Sequence, residues 1–322
     1  MNFSTVVFGP INSRRFGISL GVDLSPNIKQ CNFDCLYCEL GKEHNRVSKQ
    51  MTKVSKDQII SDILEKLDQF KNIDVLTFTA NGEPTLYEDL NELMTDFQEI
   101  ADERNIKTLI LSNSSTIWMP NVKNALLKFN KVKLSLDCAT NRCFQQMDRP
   151  MKGIRIDHIK DGIAQFSEEF QGELYIEILF IDGINNNEAE IEALNKSLLS
   201  FKNIYRIDIG TIERPPAYPV RPVTYEELYN IAGMFHNSLP IYISKRKEIN
   251  NLNNHENINN KMRLSKTELL HALFLRPLTR YDLESLFDHE TAMNFDNLLN
   301  DGLIEVQKIG NIEFYRPHQN QN

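Results

Sequence analysis

Short apolar runs recur along the chain at fairly regular intervals, and each has the length and composition of a buried β-strand. The run from Val75 to Thr79 is representative, because β-branched and aromatic residues dominate it. Six runs of this kind lie at residues 17–23, 75–79, 107–112, 132–136, 174–180 and 204–209. They predict a sheet of six strands.

Helical patterns separate these strands. Ser55 and Gln58 have the spacing of a capping box ahead of apolar residues that share one helical face, and Thr224 and Glu227 repeat the arrangement after the last strand. Strands that alternate with helices predict an α/β fold, in which helices wrap a parallel sheet or barrel.

An asparagine-rich segment predicts a domain boundary. Residues 249–261 contain seven asparagines and few apolar residues, as linkers do. Beyond them, Gly302 has the position of a glycine that ends a helix, and Gly310-Asn311 that of a hairpin turn. The predicted elements there are helices at residues 267–275, 279–287 and 291–300 and strands at 304–308 and 312–315. The order is that of a winged helix, so the predicted domains are 1–247, a linker at 248–261, and 262–322.

The composition of the chain excludes several classes of protein. The chain has 41% hydrophobic and 25% charged residues, as globular proteins do, and its net charge of −8 excludes a global basic field for nucleic acid. No apolar run approaches the roughly 18 residues of a membrane helix, and the first residues lack the pattern of a secretion signal. We therefore expect a cytoplasmic protein without a membrane partner.

Three of the five cysteines crowd into eight residues. Cys31, Cys35 and Cys38 supply three thiolates from one loop, which suits a 4Fe-4S cluster that leaves one iron open. With Tyr37 before the last cysteine, the spacing resembles the signature of the radical S-adenosylmethionine (SAM) superfamily. The alternative is a structural zinc site with His44 as the fourth ligand.

Polar residues follow the predicted strands, where a barrel of this kind has its active site. Asn81, Gly82, Glu83 and Pro84 resemble the superfamily's glycine-glycine-glutamate-proline motif, whose backbone receives the methionine amino group of SAM; on their own they form an ordinary turn. The later strand ends add further candidates for the cofactor pocket, namely Asn113, Ser135, Asp137 and Asn185. For Asp137, a helix N-cap is the alternative role.

The residues before the cysteines extend the resemblance. Residues 8–10, 13–17 and 19–23, with Leu40-Gly41 and Arg214-Pro215-Pro216, look like the bacterial relatives of the wyosine-forming tRNA enzymes within the radical SAM superfamily. The resemblance covers roughly residues 8–245. It implies a partial (βα)6 TIM-like barrel, here with a C-terminal winged-helix-like domain, and reductive cleavage of SAM to a 5′-deoxyadenosyl radical.

Three arginines are candidate substrate ligands. Arg14, Arg15 and Arg214 have the chemistry to bind a carboxylate or phosphate; solvated arginines and a surface salt bridge are the alternatives. The remaining cysteines, Cys138 and Cys143, are too few for a second cluster, and we expect them to be free and packed as small hydrophobic residues.

Two functions compete. The first is a radical SAM enzyme that acts on an unidentified substrate, with a nucleoside or tRNA as the leading candidate and an electron donor such as flavodoxin or ferredoxin. The second is an iron–sulfur sensor that binds nucleic acid or protein through its C-terminal domain. Residues 261–322 contain seven basic and nine acidic residues, which disfavours sequence-specific DNA binding and favours docking of a protein, a peptide or a structured RNA, or simple packing on the barrel.

Overall fold

The computed structural model describes residues 5–13, 15–70, 72–243, 261–309 and 312–318. The strands are β1 Val7–Ser13, β2 Gly17–Asp23, β3 Val75–Thr79, β4 Lys107–Ser112, β5 Lys131–Ser135, β6 Glu173–Phe180, β7 Ile204–Thr211, β8 Ile241–Ile243, β9 Ile304–Ile309 and β10 Ile312–Pro317. The α-helices are α1 Lys56–Gln69, α2 Leu90–Glu103, α3 Pro120–Leu126, α4 Asn141–Met147, α5 Ile156–Glu169, α6 Glu188–Ser200, α7 Tyr225–Met234, α8 Lys266–Leu275, α9 Arg280–Leu286 and α10 His289–Asn300.

Strands β1 to β8 form one sheet in the order of the sequence. Strands β2 to β8 are parallel to one another, and β1 pairs with β2 in the antiparallel direction. The six predicted strands are β2 to β7, so the expected α/β fold with a partial TIM-like barrel is confirmed. Strands β1 and β8 extend it at its two edges.

The two faces of the sheet differ in polarity because side chains alternate along each strand. In β6, Leu174, Ile176 and Ile178 are fully buried in the main hydrophobic core, which the surrounding helices complete. Glu177 lies on the other face, where Lys133 of β5 and Arg15 donate to its carboxylate. The helix-facing side therefore supplies the stability, and the inner side is free to carry chemistry.

Helix starts follow the predicted capping signals. Thr224 and Glu227 form a reciprocal capping box at α7, and the Ser55 side chain accepts from the backbone N–H of Gln58 at the start of α1. Each such cap satisfies backbone donors that have no partner within the helix.

Residues 262–318, which we name the C-terminal unit, contain α8 to α10 followed by the β9–β10 hairpin, in the order predicted. Gly302 follows α10 with a φ of 70°, which fits its expected place after a helix. The unit has its own hydrophobic cluster around Leu269, Phe287 and Phe295. Most of the asparagine-rich segment, and Gly310-Asn311, lie outside the described residues.

Among the described helices, none has the length and apolar character needed to cross a bilayer.

Candidate functional site

The carboxyl ends of β2 to β6 bring most of the predicted site residues to one edge of the sheet. The three loop cysteines come after β2, Asn81–Pro84 after β3 and Asn113 after β4. Ser135 ends β5, and Asp137 lies two residues beyond it. In parallel α/β sheets ligands bind at this edge, so the fold itself gathers these residues.

The loop cysteines are free thiols of intermediate exposure. The sulfur atoms of the three loop cysteines do not all lie within 4.8 Å of one another. Among the described residues, one group of potential metal ligands is that close, and it consists of Cys138, Cys143 and Glu190. The loop thiols are therefore spread more widely than ligands around one ion. A single zinc ion needs its ligand atoms this close together, whereas in a cubane each thiolate would bind its own iron; His44, the fourth ligand of the zinc alternative, is exposed.

Charged and polar groups contact each loop thiol. The Lys29 ammonium donates to Cys38 Sγ at 3.4 Å and to the carbonyl of Gly41 at 2.5 Å. Asn113 Nδ2 lies 3.7 Å from Cys31 Sγ, and Cys35 Sγ lies 3.5 Å from the Asp148 carboxylate. Burial raises the pKa of the Cys31 thiol to about 12, an effect that Lys29 partly opposes. A metal must therefore displace protons from these thiols when it binds.

The loop of residues 80–84, which we name the motif loop, is fixed against the segment that precedes Cys31. Gln30 N–H donates to the Asn81 carbonyl at 2.8 Å, and Glu83 N–H donates to the Gln30 carbonyl at 3.0 Å. Gly82 lies between them with a φ of 130°, and a Cβ there would come within 2.0 Å of the Gln30 carbonyl oxygen. Only glycine fits, because both the backbone conformation and the space exclude a side chain.

The Glu83 carboxylate points into the protein. Its oxygens accept from Ser112 Oγ at 2.8 Å, from Asn113 N–H at 2.7 Å and from the N–H of Thr85 at 3.0 Å. Burial raises its pKa, and these hydrogen bonds oppose the rise. Glu83 thus joins the motif loop to the end of β4. By contrast, Asn81 Nδ2 is buried and has no hydrogen-bond partner among the described residues, as expected of a donor reserved for a ligand.

A narrow, open cleft brings together four predicted cofactor residues: Tyr37, Asn113, Ser135 and Asp137 all line it. The Tyr37 hydroxyl donates to Asp137 Oδ2, and Leu179 N–H donates to Asp137 Oδ1 at 2.7 Å. Burial raises the pKa of Asp137 to about 7, and the two hydrogen bonds limit that rise. A polar wall of this kind can recognise the hydroxyl groups of a nucleoside.

Asn185 does not reach this cleft as a ligand. It is fully buried, and its amide nitrogen donates to the carbonyls of Asp137 and Leu179 at 2.9 and 2.8 Å. Its side-chain oxygen accepts from Ile181 N–H at 2.8 Å. Asn185 therefore ties the ends of β5 and β6 together, a role that the sequence pattern alone does not distinguish from cofactor binding.

The candidate arginines are already paired with carboxylates. Arg15 Nη1 lies 2.6 Å from Glu177 and 3.3 Å from Asp208, and Arg214 Nη1 lies 2.8 Å from Glu39. Arg14 lies outside the described residues. Arg15 thus belongs to a charged network on the inner face of the sheet, and an anionic ligand would have to compete with these carboxylates.

The prediction that Cys138 and Cys143 are free is wrong. Both are buried as expected, but they form a disulfide, and their Cα atoms lie 5.6 Å apart at the start of α4. The turn into the helix brings the two residues within disulfide range, which five-residue spacing does not reveal. In the disulfide, neither residue has a thiolate that could bind a metal beside the loop cysteines.

Three residues of the site carry no sequence signal that we recognised: Lys29, Gln30 and Asp148. Lys29 and Gln30 lie directly before the first cysteine, so their proximity in sequence was a usable hint. Asp148 follows α4, and only the fold brings it to Cys35.

Comparisons with known proteins identify the family of the chain. The model of the Radical SAM superfamily matches residues 28–194. A UPF0026 protein of Helicobacter pylori is 38% identical over 315 residues, which cover 96% of this chain and 97% of the relative. A UPF0026 protein of Methanocaldococcus jannaschii is 32% identical over 234 residues, which cover 72% and 71%.

A solved structure is similar in fold. The radical SAM methyltransferase from Sphaerobacter thermophilus aligns with a TM-score of 0.54 at 14% identity, over 70% of this chain and 66% of that one. Members of the superfamily are enzymes that use a 4Fe-4S cluster and SAM. The matched residues include the three loop cysteines, the motif loop and Asp137, and the chain belongs to the radical SAM superfamily.

Proposed function

We propose that the protein cleaves SAM reductively and uses the resulting 5′-deoxyadenosyl radical on a substrate. The observation that carries the proposal is the position of the three free loop thiols near a cleft lined by both apolar and polar side chains, as suits the base and the hydroxyl groups of a nucleoside. In the proposal, Cys31, Cys35 and Cys38 hold the cluster. The bound cluster supplies an open iron that chelates the methionine end of SAM and the electron that breaks its sulfonium bond.

The protein's own residues then place SAM between the cluster and the sheet. We assign the methionine end to the motif loop, where Gly82 leaves the backbone accessible and Asn81 Nδ2 offers an unused donor. We assign the adenosine to the cleft, where Asp137 faces a ribose hydroxyl and Tyr37 and Ser135 form the walls. Glu83 and Asn185 hold these groups in place through hydrogen bonds to the backbone of Asn113 and of Asp137.

For the substrate we propose a nucleoside or a tRNA, on the strength of the family resemblance. The inner face of the sheet supports a polar substrate, because Arg15, Lys133 and Glu177 line it. We also propose that residues 1–247 are the catalytic domain, that residues 262–322 are winged-helix-like and help to dock a large partner, and that a cytoplasmic flavodoxin or ferredoxin supplies the electron.

Anaerobic incubation with dithionite and SAM tests the proposal. Reconstituted protein should release 5′-deoxyadenosine, and the Cys35→Ala variant should not. An intact cluster that yields no 5′-deoxyadenosine with total tRNA, free nucleosides or a cell extract would favour the sensor function instead. If tRNA is the substrate, total tRNA should increase 5′-deoxyadenosine formation, whereas free nucleosides should do so for a small substrate.

A further inference from the structure

We infer that the C-terminal unit is a positioning element of the cofactor site, because His271 of α8 holds the motif loop in place through Asp23 at the end of β2. The inference rests on the proposed function, since it assigns the motif loop to SAM. His271 and Asp23 lie near opposite ends of the chain and meet at the edge of the sheet where the proposed cofactor binds.

Asp23 fixes the backbone of the motif loop directly. Its Oδ1 accepts from Asn81 N–H at 2.8 Å and from Ser25 N–H at 2.9 Å. Ser25 Oγ in turn donates to the Asn81 carbonyl at 3.0 Å. Both backbone polar groups of Asn81 are therefore held from the β2 side, and hydrogen bonds to an ionised acceptor are among the stronger ones in proteins.

The second oxygen of Asp23 faces the C-terminal unit. Asp23 Oδ2 lies 3.8 Å from His271 Nε2, and both residues are essentially fully buried. Among the described residues, Asp23 Oδ2 has no hydrogen-bond partner, and the His271 imidazole is the one basic side chain within 4.0 Å of it. A buried carboxylate without a compensating group is unfavourable, so the imidazole is what makes this conformation of Asp23 tolerable.

Packing around the pair supports the same conclusion. The Phe8 ring of β1 lies against the His271 ring, with centroids 5.8 Å apart. A second cleft, of about 300 Å³, has Asn81 and Leu40 on one wall and Phe274, Pro277 and Pro317 of the C-terminal unit on the other. The unit thus contacts the Asp23 anchor and also borders the Asn81 side chain.

This arrangement couples docking of the C-terminal unit to the cofactor site. If His271 holds Asp23 in the conformation that orders Asn81, then loss of His271 must loosen the motif loop. Part of the binding free energy of SAM would then be used to order the loop, and its affinity would fall. By linkage, bound SAM should strengthen docking of the unit to the same degree.

Three full-length variants and one control test this coupling. His271→Phe keeps an aromatic ring beside Phe8 but leaves the Asp23 carboxylate uncompensated. Asp23→Asn keeps an acceptor for Asn81 N–H and removes the charge. The double variant removes both members of the pair. The control, Lys66→Met, breaks the ion pair between Lys66 and Glu268 at the same interface without touching the motif loop.

Hydrogen exchange on the protein without cluster or SAM provides the first measurement. The backbone amides of residues 80–83 should exchange at least several-fold faster in His271→Phe than in the wild type. Lys66→Met should leave them unchanged, and the double variant should recover part of the protection because no buried charge remains unpaired. Equal exchange in His271→Phe and Lys66→Met would overturn the inference. If His271→Phe does not fold, Asp23→Asn and the double variant still decide the question, since an unaltered exchange rate in both would overturn it.

SAM affinity of the reconstituted protein provides the second measurement, by equilibrium dialysis. His271→Phe should bind SAM about tenfold more weakly, in the range of typical couplings between sites, and Lys66→Met should match the wild type. Affinity equal to wild type in His271→Phe would overturn the inference. Wild-type protein with an intact cluster that binds no SAM would instead refute the proposed function, and the exchange measurement would still report on the contact itself.

Discussion

Replacement of Gly82 by alanine should disable the cofactor site while leaving the fold intact. Gly82 has a φ of 130°, and its missing side chain faces the backbone of Gln30. The added Cβ would lie 2.0 Å from the Gln30 carbonyl oxygen and 2.4 Å from its carbon. Because both atoms belong to the backbone, no rotamer change relieves the contact, and the two segments must separate.

The size of the effect follows from three contributions. A non-glycine residue in this backbone region costs about 1–3 kcal/mol. Separation also breaks the hydrogen bonds from Gln30 N–H to Asn81 and from Glu83 N–H to Gln30, each worth about 1 kcal/mol net. A total of about 3–5 kcal/mol would make the native loop conformation about a hundredfold or more rarer, since 1.4 kcal/mol is tenfold. SAM affinity should fall by a similar factor.

Gly233→Ala is the matched control. Its Cβ meets no atom within 4 Å, and in the last turn of α7 the change should stabilise the helix by up to about 1 kcal/mol. Both variants should be compared with the wild type by iron content, circular dichroism and equilibrium dialysis with SAM. The reasoning fails if Gly82→Ala binds SAM as the wild type does. It also fails if the variant loses SAM binding only because its secondary structure has collapsed.

Three further predictions concern the cluster and the inner face of the sheet. Wild-type and Cys138→Ala protein should each bind about four irons per chain and Cys35→Ala none; loss of iron from Cys138→Ala would contradict our ligand set. Lys29→Met removes a positive charge 3.4 Å from Cys38 Sγ, so it should make the reduction potential of the cluster more negative. A redox titration followed by EPR measures this potential, and an unchanged value would refute the prediction. Lys133 and Arg15 lower the pKa of the partly exposed Glu177 to about 2, so Glu177→Gln should cost at most about 3 kcal/mol of unfolding free energy at pH 7, because solvent screens part of the attraction. That contribution is present above the unfolded pKa of about 4.5 and is lost as the pH falls toward 2, so urea unfolding at pH 7 and 3.5 should show a shrinking difference.

Local sequence patterns were sufficient for most of the fold. The six inner strands, the capping box at Thr224 and the N-cap at Ser55 depend on residues within a few positions of one another. Strand β1 was not predicted, because Gly9 and Pro10 interrupt its apolar pattern while the strand still pairs with β2 around a register shift. Strand β8 has only three residues, which is too short for a periodic signal.

The candidate site, too, was predicted from the sequence only in part. Asn113, Ser135 and Asp137 were predicted to line one pocket because strand ends meet at one edge of a parallel sheet, and they line one cleft together with Tyr37 of the cysteine loop. The sequence could not show which polar side chains would form hydrogen bonds within the protein and so be unavailable to a ligand. Glu83 and Asn185 turn inward to backbone partners, a choice that depends on the exact placement of neighbouring strands.

The contact between His271 and Asp23 shows why the role of the C-terminal unit needed the structure. From composition, residues 261–322 had only a slight acidic excess and no cofactor motif, so docking of a partner was the natural hypothesis. In the fold, the motif loop is held from two sides, by Gln30 beside the first cysteine and by Asp23 beside α8. A loop held this way can respond both to the cluster loop and to the C-terminal unit. A partner that binds the C-terminal unit would then act on the cofactor site through the buried contact between His271 and Asp23, as well as by raising the local concentration of substrate.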